Sequence, residues 1–193
     1  LEHGAAAPVI VAADADLADS IPRMVKGGFY HAGQVCVSVQ RVFAHADIAE
    51  SLAGEMAAQA GALRVGDPTS ADTDVGPLIR PGEVTRVAEW VREATDGGAR
   101  LLCGGERISE TCYAPTVLYD PPADARVSTA EIFGPVVCVT PYTDIDAAIA
   151  RANGLPYAFQ SSVFTRDIDT AMRAYALLES SAVMVNDHTA FWV

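Results

Sequence analysis

Basic residues are scarce in this chain. Its 193 residues include 13 Lys and Arg against 25 Asp and Glu, a formal charge of −12 at pH 7. A surface so biased repels phosphates, which excludes a polyanion binder. Long apolar runs are missing as well. None approaches the roughly 20 residues that a membrane helix requires, and the N-terminus carries no basic-then-apolar signal pattern. No nucleic-acid or membrane partner is expected, and the chain reads as cytoplasmic. Cysteine is sparse too. Cys36, Cys103, Cys112 and Cys138 form no C-x-x-C pair and stand at no zinc-finger interval from a histidine, so no metal site is expected. A chain with a good core has little need of disulfides, and all four are read as thiols.

What is present is enough apolar material for a core: 50% of the residues are hydrophobic and 20% charged, too hydrophobic for a disordered chain and suited to a single globular domain. The chain starts at Leu1 and stops at Val193 just after an apolar run, and both ends read as cut.

Along the chain, short apolar runs alternate with segments of helical spacing. Val9 to Ala12 is strand-like. Asp14 and Asp16 are good helix N-caps, and Leu17, Ile21, Met24 and Val25 follow at helical intervals. Gln40 to Ala44 is β-rich, and Asp47 opens a helix through Ile48, Leu52, Met56 and Leu63. Val84, Val87, Ala88, Val91 and Ala94 share a helical face that Gly97-Gly98 ends, and the strand-like Leu101 to Cys103 follows. Pro135 to Thr140 is apolar on both faces, as a buried parallel strand is. Ile145 to Ala152 reads as helix closed by Asn153-Gly154, Ser161 to Thr165 as strand, Asp167 as the cap of a helix reaching Leu178, and Ala182 to Val185 as the last strand. This alternation predicts an α/β fold: an open, twisted, mostly parallel sheet with crossover helices. Loops rich in Gly, Pro and Asp interrupt it at 66–81, 104–115 and 119–129.

The best candidate for chemistry is Cys36 in Gly33-Gln34-Val35-Cys36. It follows the first helix after a glycine, where the backbone can approach a small substrate and leave a thiol within reach. A buried structural cysteine is the competing reading, and it is the one assigned to Cys103 and Cys138, while Cys112 reads as an inert loop thiol. A nucleophilic cysteine needs a group to take its proton. His31, Glu2, His3 and Glu131 are all candidates on the residues alone. Glu131-Ile132-Phe133-Gly134-Pro135 sets an acid and an aromatic just before a buried strand. Functional loops are expected at the carboxyl ends of the strands, as in other open α/β sheets.

These motifs together resemble the catalytic domain of the NAD(P)-dependent aldehyde dehydrogenases. The matching segments run in order over the whole chain: Leu1-Glu2-His3-Gly4 ahead of Pro8-Val9-Ile10; Gly33 to Cys36; Gly66-Asp67-Pro68 with Asp74 to Leu78; Tyr113 to Leu118; Glu131 to Pro135; and Val185-Asn186. The resemblance implies that residues 1–193 are the nucleophile-bearing domain of an enzyme oxidising a small aldehyde to its acid with NAD or NADP. In that reading Cys36 is the nucleophile, Glu2 the general base, and the Cys36 backbone N–H half of an oxyanion hole. Glu131 is similar to the glutamate that binds the nicotinamide ribose, and Phe133 to the aromatic beside the nicotinamide. Asn186, His188 and Phe191 match the border of the substrate tunnel. His31 matches no family role, and the 66–78 loop reads as structural turn chemistry.

The chain departs from the family at Ala5, where a second glycine is usual, and at Trp192, where a smaller or basic residue is common. The family's cofactor-binding half, the asparagine of its oxyanion hole and its C-terminal tail have no counterpart in these residues. The excised domain is therefore expected to be inactive as a dehydrogenase, within a parent that is a homodimer or homotetramer. Two readings compete with this one: a cysteine hydrolase or acyl transferase working without hydride transfer, and a non-catalytic fragment.

Overall fold

The computed structural model describes residues 6–156 and 158–189. Among them, seven strands form one sheet: β1 (Ala7–Val11), β2 (Val39–His45), β3 (Arg100–Cys103), β4 (Thr116–Tyr119), β5 (Val136–Tyr142), β6 (Gln160–Phe164) and β7 (Ala182–Val185). The helices are α1 (Leu17–Phe29), α2 (Ala46–Gly61), α3 (Pro81–Asp96), α4 (Arg126–Thr129), α5 (Ile145–Ala152) and α6 (Ile168–Leu177). The sheet order is β3-β4-β5-β2-β1-β6-β7. Every pairing is parallel except that of β3 with β4 at one edge. The expected α/β class holds. β4 lies between two predicted loops, four residues whose signal is too short to stand out, and α4 falls inside the segment read as loop.

Alternation along the central strands divides the core. Val9 and Val11 of β1 and Val42 and Ala44 of β2 face one side, where they pack with Ile21, Met24 and Phe29 of α1 and Leu52 and Met56 of α2. Ile10 and Phe43 face the other, against Ala148 and Ile149 of α5 and Ala174 of α6. Central strands buried on both faces explain the continuous apolar runs in the sequence.

Among the described residues, side-chain caps fix three of the six helix starts, at His45, Asp144 and Asp167. Asp144 accepts from Asp146 N at 3.0 Å, and Asp167 accepts from Thr170 N at 2.9 Å; these N–H groups have no partner inside their helices. Asp14 and Asp16 behave differently from expectation. Asp16 stands at the N-cap position of α1 without a side-chain cap bond and pairs with Arg166 at 2.6 Å. Asp14 accepts from Thr165 Oγ1 at 2.8 Å and Arg166 N at 2.9 Å. Both acids tie the start of α1 to the turn after β6. Among the described residues no helix is long and apolar enough to cross a membrane.

Candidate active site

The connection from α1 to β2 has an unusual backbone. Tyr30–Gly33 form a kinked segment with left-handed backbone inside it, where His31, Ala32 and Gly33 have φ of 50°, 55° and 69°. Ser38 N then donates to Val35 O at 2.9 Å, closing a turn with Cys36 and Val37 at its centre. Cys36 is half-buried. Left-handed backbone costs a residue other than glycine about 1–2 kcal/mol and concentrates at functional sites. Of the five such residues among those described, His31, Ala32, Phe133 and Asn186 all lie in segments singled out from the sequence.

Three side chains brace the Cys36 turn. Gln34 donates from Nε2 to Pro77 O at 3.1 Å and accepts at Oε1 from Ile79 N at 2.9 Å, clamping the end of the 66–78 loop to the turn. Ser38 Oγ donates to Gly28 O at 3.3 Å. Thr189, wholly buried, donates from Oγ1 to Val37 O at 2.6 Å.

The Glu131–Pro135 segment lies directly against the turn. A Cβ on Gly33 would sit 2.2 Å from Gly134 O, so the two backbones approach as closely as glycine permits. Gln40, buried in β2, donates to Val127 O at 3.0 Å and Ala130 O at 2.8 Å and accepts from Ile132 N at 2.9 Å. Arg86 of α3 donates to Ile132 O at 2.6 Å and pairs with Glu83 at 2.7 Å. Glu131 is half-buried, with Oε1 shielded from solvent. Phe133, 38% exposed, borders a cleft of about 720 Å³ together with His31, Gln34, Pro77 and Ile79.

The segment after β7 completes the surroundings. Asn186 N donates to Val163 O at 2.9 Å, and its Oδ1 accepts from Thr165 N at 3.0 Å. That carboxamide oxygen holds the turn after β6 rather than the Cys36 turn. The chain then doubles back. Asp187 O accepts from Ser162 Oγ, Asp187 Oδ1 accepts from His188 N at 2.8 Å, and Arg23 of α1 pairs with the same oxygen at 3.3 Å. His188 is buried, its Nδ1 is 2.8 Å from Thr189 O, and its ring centroid is 6.4 Å from that of Tyr30. Burial, and secondarily the neighbouring Cys36, push the Tyr30 phenol upward from its ordinary pKa. Glu2, Phe191, Ala5 and Trp192 lie outside the described residues.

The other thiols are poorly placed for chemistry. Burial pushes Cys103 upward and Cys138 up to about 12, and Cys112 is buried. Raised in this way, Cys103 and Cys138 stay protonated and react slowly. None of the four is in a disulfide, and the described residues contain no cluster of three or more His, Cys, Asp or Glu able to hold a metal.

One expectation about placement is corrected. Cys36 precedes β2 and Glu131 precedes β5, neighbouring parallel strands in which Arg41 pairs with Cys138. Their loops therefore meet at the amino ends of the strands. The reason is connectivity: each lies on a helix-to-strand link, after α1 and α4, and such links return to the amino ends of a parallel sheet. Sequence reasoning also missed the roles of Gln40, Arg86 and Thr189. A glutamine opening the β-rich run Gln40 to Ala44 was the available signal, since a polar residue in a buried strand must find partners.

Comparison with known proteins gives a consistent result. A family model described as the aldehyde dehydrogenase family matches residues 1–192. A 3-sulfolactaldehyde dehydrogenase of Priestia aryabhattai is 38% identical over 193 residues, covering 100% of this chain and 40% of the relative. The crystal structure of a glyceraldehyde-3-phosphate dehydrogenase from Methanocaldococcus jannaschii, complexed with NADP, superposes with a TM-score of 0.94 at 34% identity, over 98% of this chain and 41% of that one. Aldehyde dehydrogenase 21 from Physcomitrella patens, in complex with the reaction product succinate, gives 0.93 at 36% identity, over 98% and 40%. The chain thus spans about 40% of the length of the curated relatives it matches.

Proposed function

Because this chain belongs to the aldehyde dehydrogenase family, we propose that residues 1–193 are the nucleophile-bearing domain of an enzyme that oxidises an aldehyde to its carboxylic acid with NAD or NADP. The observation that carries the reading is the junction of the Cys36 turn with Glu131–Pro135 through Gly33 and Gly134. A hydrolase or acyl transferase gives no reason for Glu131 and Phe133 to be held beside the nucleophile.

In this reading the Cys36 thiol passes its proton to solvent by way of Glu2, and the thiolate sulfur adds to the aldehyde carbon, forming an S–C bond while the carbonyl π pair moves to oxygen. The Cys36 backbone N–H meets that oxygen. The residues present fit one end of a dinucleotide: Glu131 offers a carboxylate for ribose hydroxyls, and Phe133 an exposed ring at a cleft. When bound, the nicotinamide supplies the hydride acceptor. Water then attacks the thioester left on Cys36, the C–S bond breaks, and Glu2 takes the proton from that water.

The four thiols without disulfides support a reducing, cytoplasmic setting. A homodimer or homotetramer is supported by the exposed α6 stripe of Ile168, Met172 and Tyr175, an apolar face that calls for a cover.

The test uses the full-length protein that contains this chain. NAD(P)H formation with a panel of aldehydes is expected, with loss of at least about 1,000-fold in Cys36→Ala. The 193-residue chain alone is expected to form no NAD(P)H, because holding the nicotinamide at attack distance is worth about 7–11 kcal/mol. A slow Cys36-dependent ester hydrolysis is expected to survive. Dehydrogenase activity retained by Cys36→Ala refutes the assignment.

A further inference from the structure

We infer that Thr189 is a positioning residue for Cys36, and that the Arg23–Asp187 ion pair sets Thr189 in place. The inference builds on the proposed function but can be tested apart from it.

Hydrogen bonds lead outward from the Cys36 turn. Cys36 and Val37 are the two central residues of the turn closed by Ser38 N on Val35 O. A two-residue turn leaves its central carbonyls without partners inside the turn, and Val37 is wholly buried. Its carbonyl therefore needs an outside donor. Thr189 Oγ1 supplies one at 2.6 Å from a site with no solvent exposure. With this bond made, the peptide after Val37 has one orientation. Without it, the buried carbonyl is unpaired, and the turn gains by rotating toward another donor. Such a rotation moves Cys36, one residue away.

Thr189 in turn is placed by the segment before it. After Asn186, Asp187 accepts from Ser162 Oγ at its carbonyl, while its carboxylate takes the His188 N–H and faces Arg23 at 3.3 Å. Arg23 also holds Asp19 at 3.0 Å on the helix whose last carbonyls, Gly27 O and Gly28 O, accept from Ser38. α1 thus grips the nucleophile turn from both sides: directly through Ser38, and by way of Arg23, Asp187 and Thr189. His188 closes this loop sterically, since a Cβ on Gly27 would lie 2.9 Å from His188 Cβ.

The experiment compares Thr189→Val, which keeps shape and loses the donor, with Thr189→Ser, which keeps the donor, and with Asp187→Asn. All are made in the full-length protein. Three readouts are taken: hydrogen exchange of peptides spanning 34–39, the second-order rate of Cys36 alkylation by iodoacetamide across pH 6–10, and kcat and KM for aldehyde oxidation. For Thr189→Val we expect exchange at Ser38 N to rise at least about 10-fold. Its alkylation profile should change, and kcat should fall about 10- to 100-fold with KM within about twofold, the loss typical of a small misplacement. Thr189→Ser should restore all three to within about threefold of the parent. Asp187→Asn should move in the same direction by a smaller factor. If the parent oxidises no aldehyde, the proposed function fails, and exchange and alkylation still decide the role of Thr189. If Thr189→Val matches the parent in exchange and alkylation, or if Thr189→Ser behaves like Thr189→Val, the inference is overturned.

Discussion

Gly33→Ala is the sharpest probe of the junction on which the functional reading rests. Two costs arise at once. The backbone at Gly33 has φ +69°, so any side chain there incurs the left-handed penalty of about 1–2 kcal/mol. The new methyl also meets Gly134 O at 2.2 Å and Gly134 C at 2.7 Å. Those atoms are backbone and cannot rotate aside, and forcing a methyl into a packed site costs about 1–3 kcal/mol. Together the variant should lose about 2–5 kcal/mol, or about 4–20 °C in Tm for a domain of this size. Gly54→Ala is the control. It lies in α2 with nothing within 4 Å of a new Cβ, so the same chemical change should gain about 0.5–1 kcal/mol. Urea denaturation of the two variants beside the parent decides the matter. If Gly33→Ala unfolds at the parent's midpoint, the two backbones are not in contact and the site described above does not exist as drawn.

Other expectations follow from the same geometry. Gln40→Leu removes one donor to each of two carbonyls and the acceptor of Ile132 N, and should cost about 3–5 kcal/mol by chemical denaturation, each orphaned buried group contributing about 1–3 kcal/mol at most. A loss below about 1 kcal/mol would mean that the 127–132 segment has other anchors. Ala32→Gly relieves left-handed strain of about 1–2 kcal/mol against an unfolded-state entropy cost of about 0.4–1 kcal/mol, so calorimetry should register a Tm at or above the parent's; a clear drop contradicts it. For pH, Cys138 is pushed from 9.0 up to about 12 by burial. The folded state therefore keeps a proton that the unfolded chain loses above pH 9. Its contribution is full below pH 9 and declines as pH rises toward 12, by up to about 1.4 kcal/mol per pH unit. Between pH 9 and 10 Cys138→Val should flatten the stability profile, and an unchanged slope would assign the effect to other groups.

The alternation of strands and helices was legible because β1, β2 and β5 are buried on both faces, and the apolar runs of β1 and most of β5 are unbroken. β4 was not legible: Thr116 to Tyr119 is as short as a turn, and only its pairing with β3 and β5 makes it a strand. Nor could periodicity reveal that β3 runs antiparallel, since direction is a property of a pair. Cys36, Glu131 and Phe133 stood out through glycine, acid and aromatic spacing together with the family motifs. Their braces did not. Thr189 and Arg86 are ordinary residues locally, and they acquire a role only when the fold sets them against a carbonyl far along the chain. The end of the sheet at which the site lies was in fact available from chain order, because Cys36 follows a helix and precedes a strand.

That order also fixes the local field. A helix carries partial negative charge at its last carbonyls and partial positive charge at its first N–H groups. α1 brings Gly27 O and Gly28 O to the nucleophile turn, and α4 ends just before Glu131. The α1 carbonyls beside the Cys36 turn therefore form a negative end. They repel anions, whereas a phosphate cradle is built from N–H ends. Charge gathering on a substrate oxygen must be met by individual backbone N–H groups. We propose that a dinucleotide diphosphate finds its helix N-terminus outside these residues, while Glu131 and Phe133 meet the reacting ring.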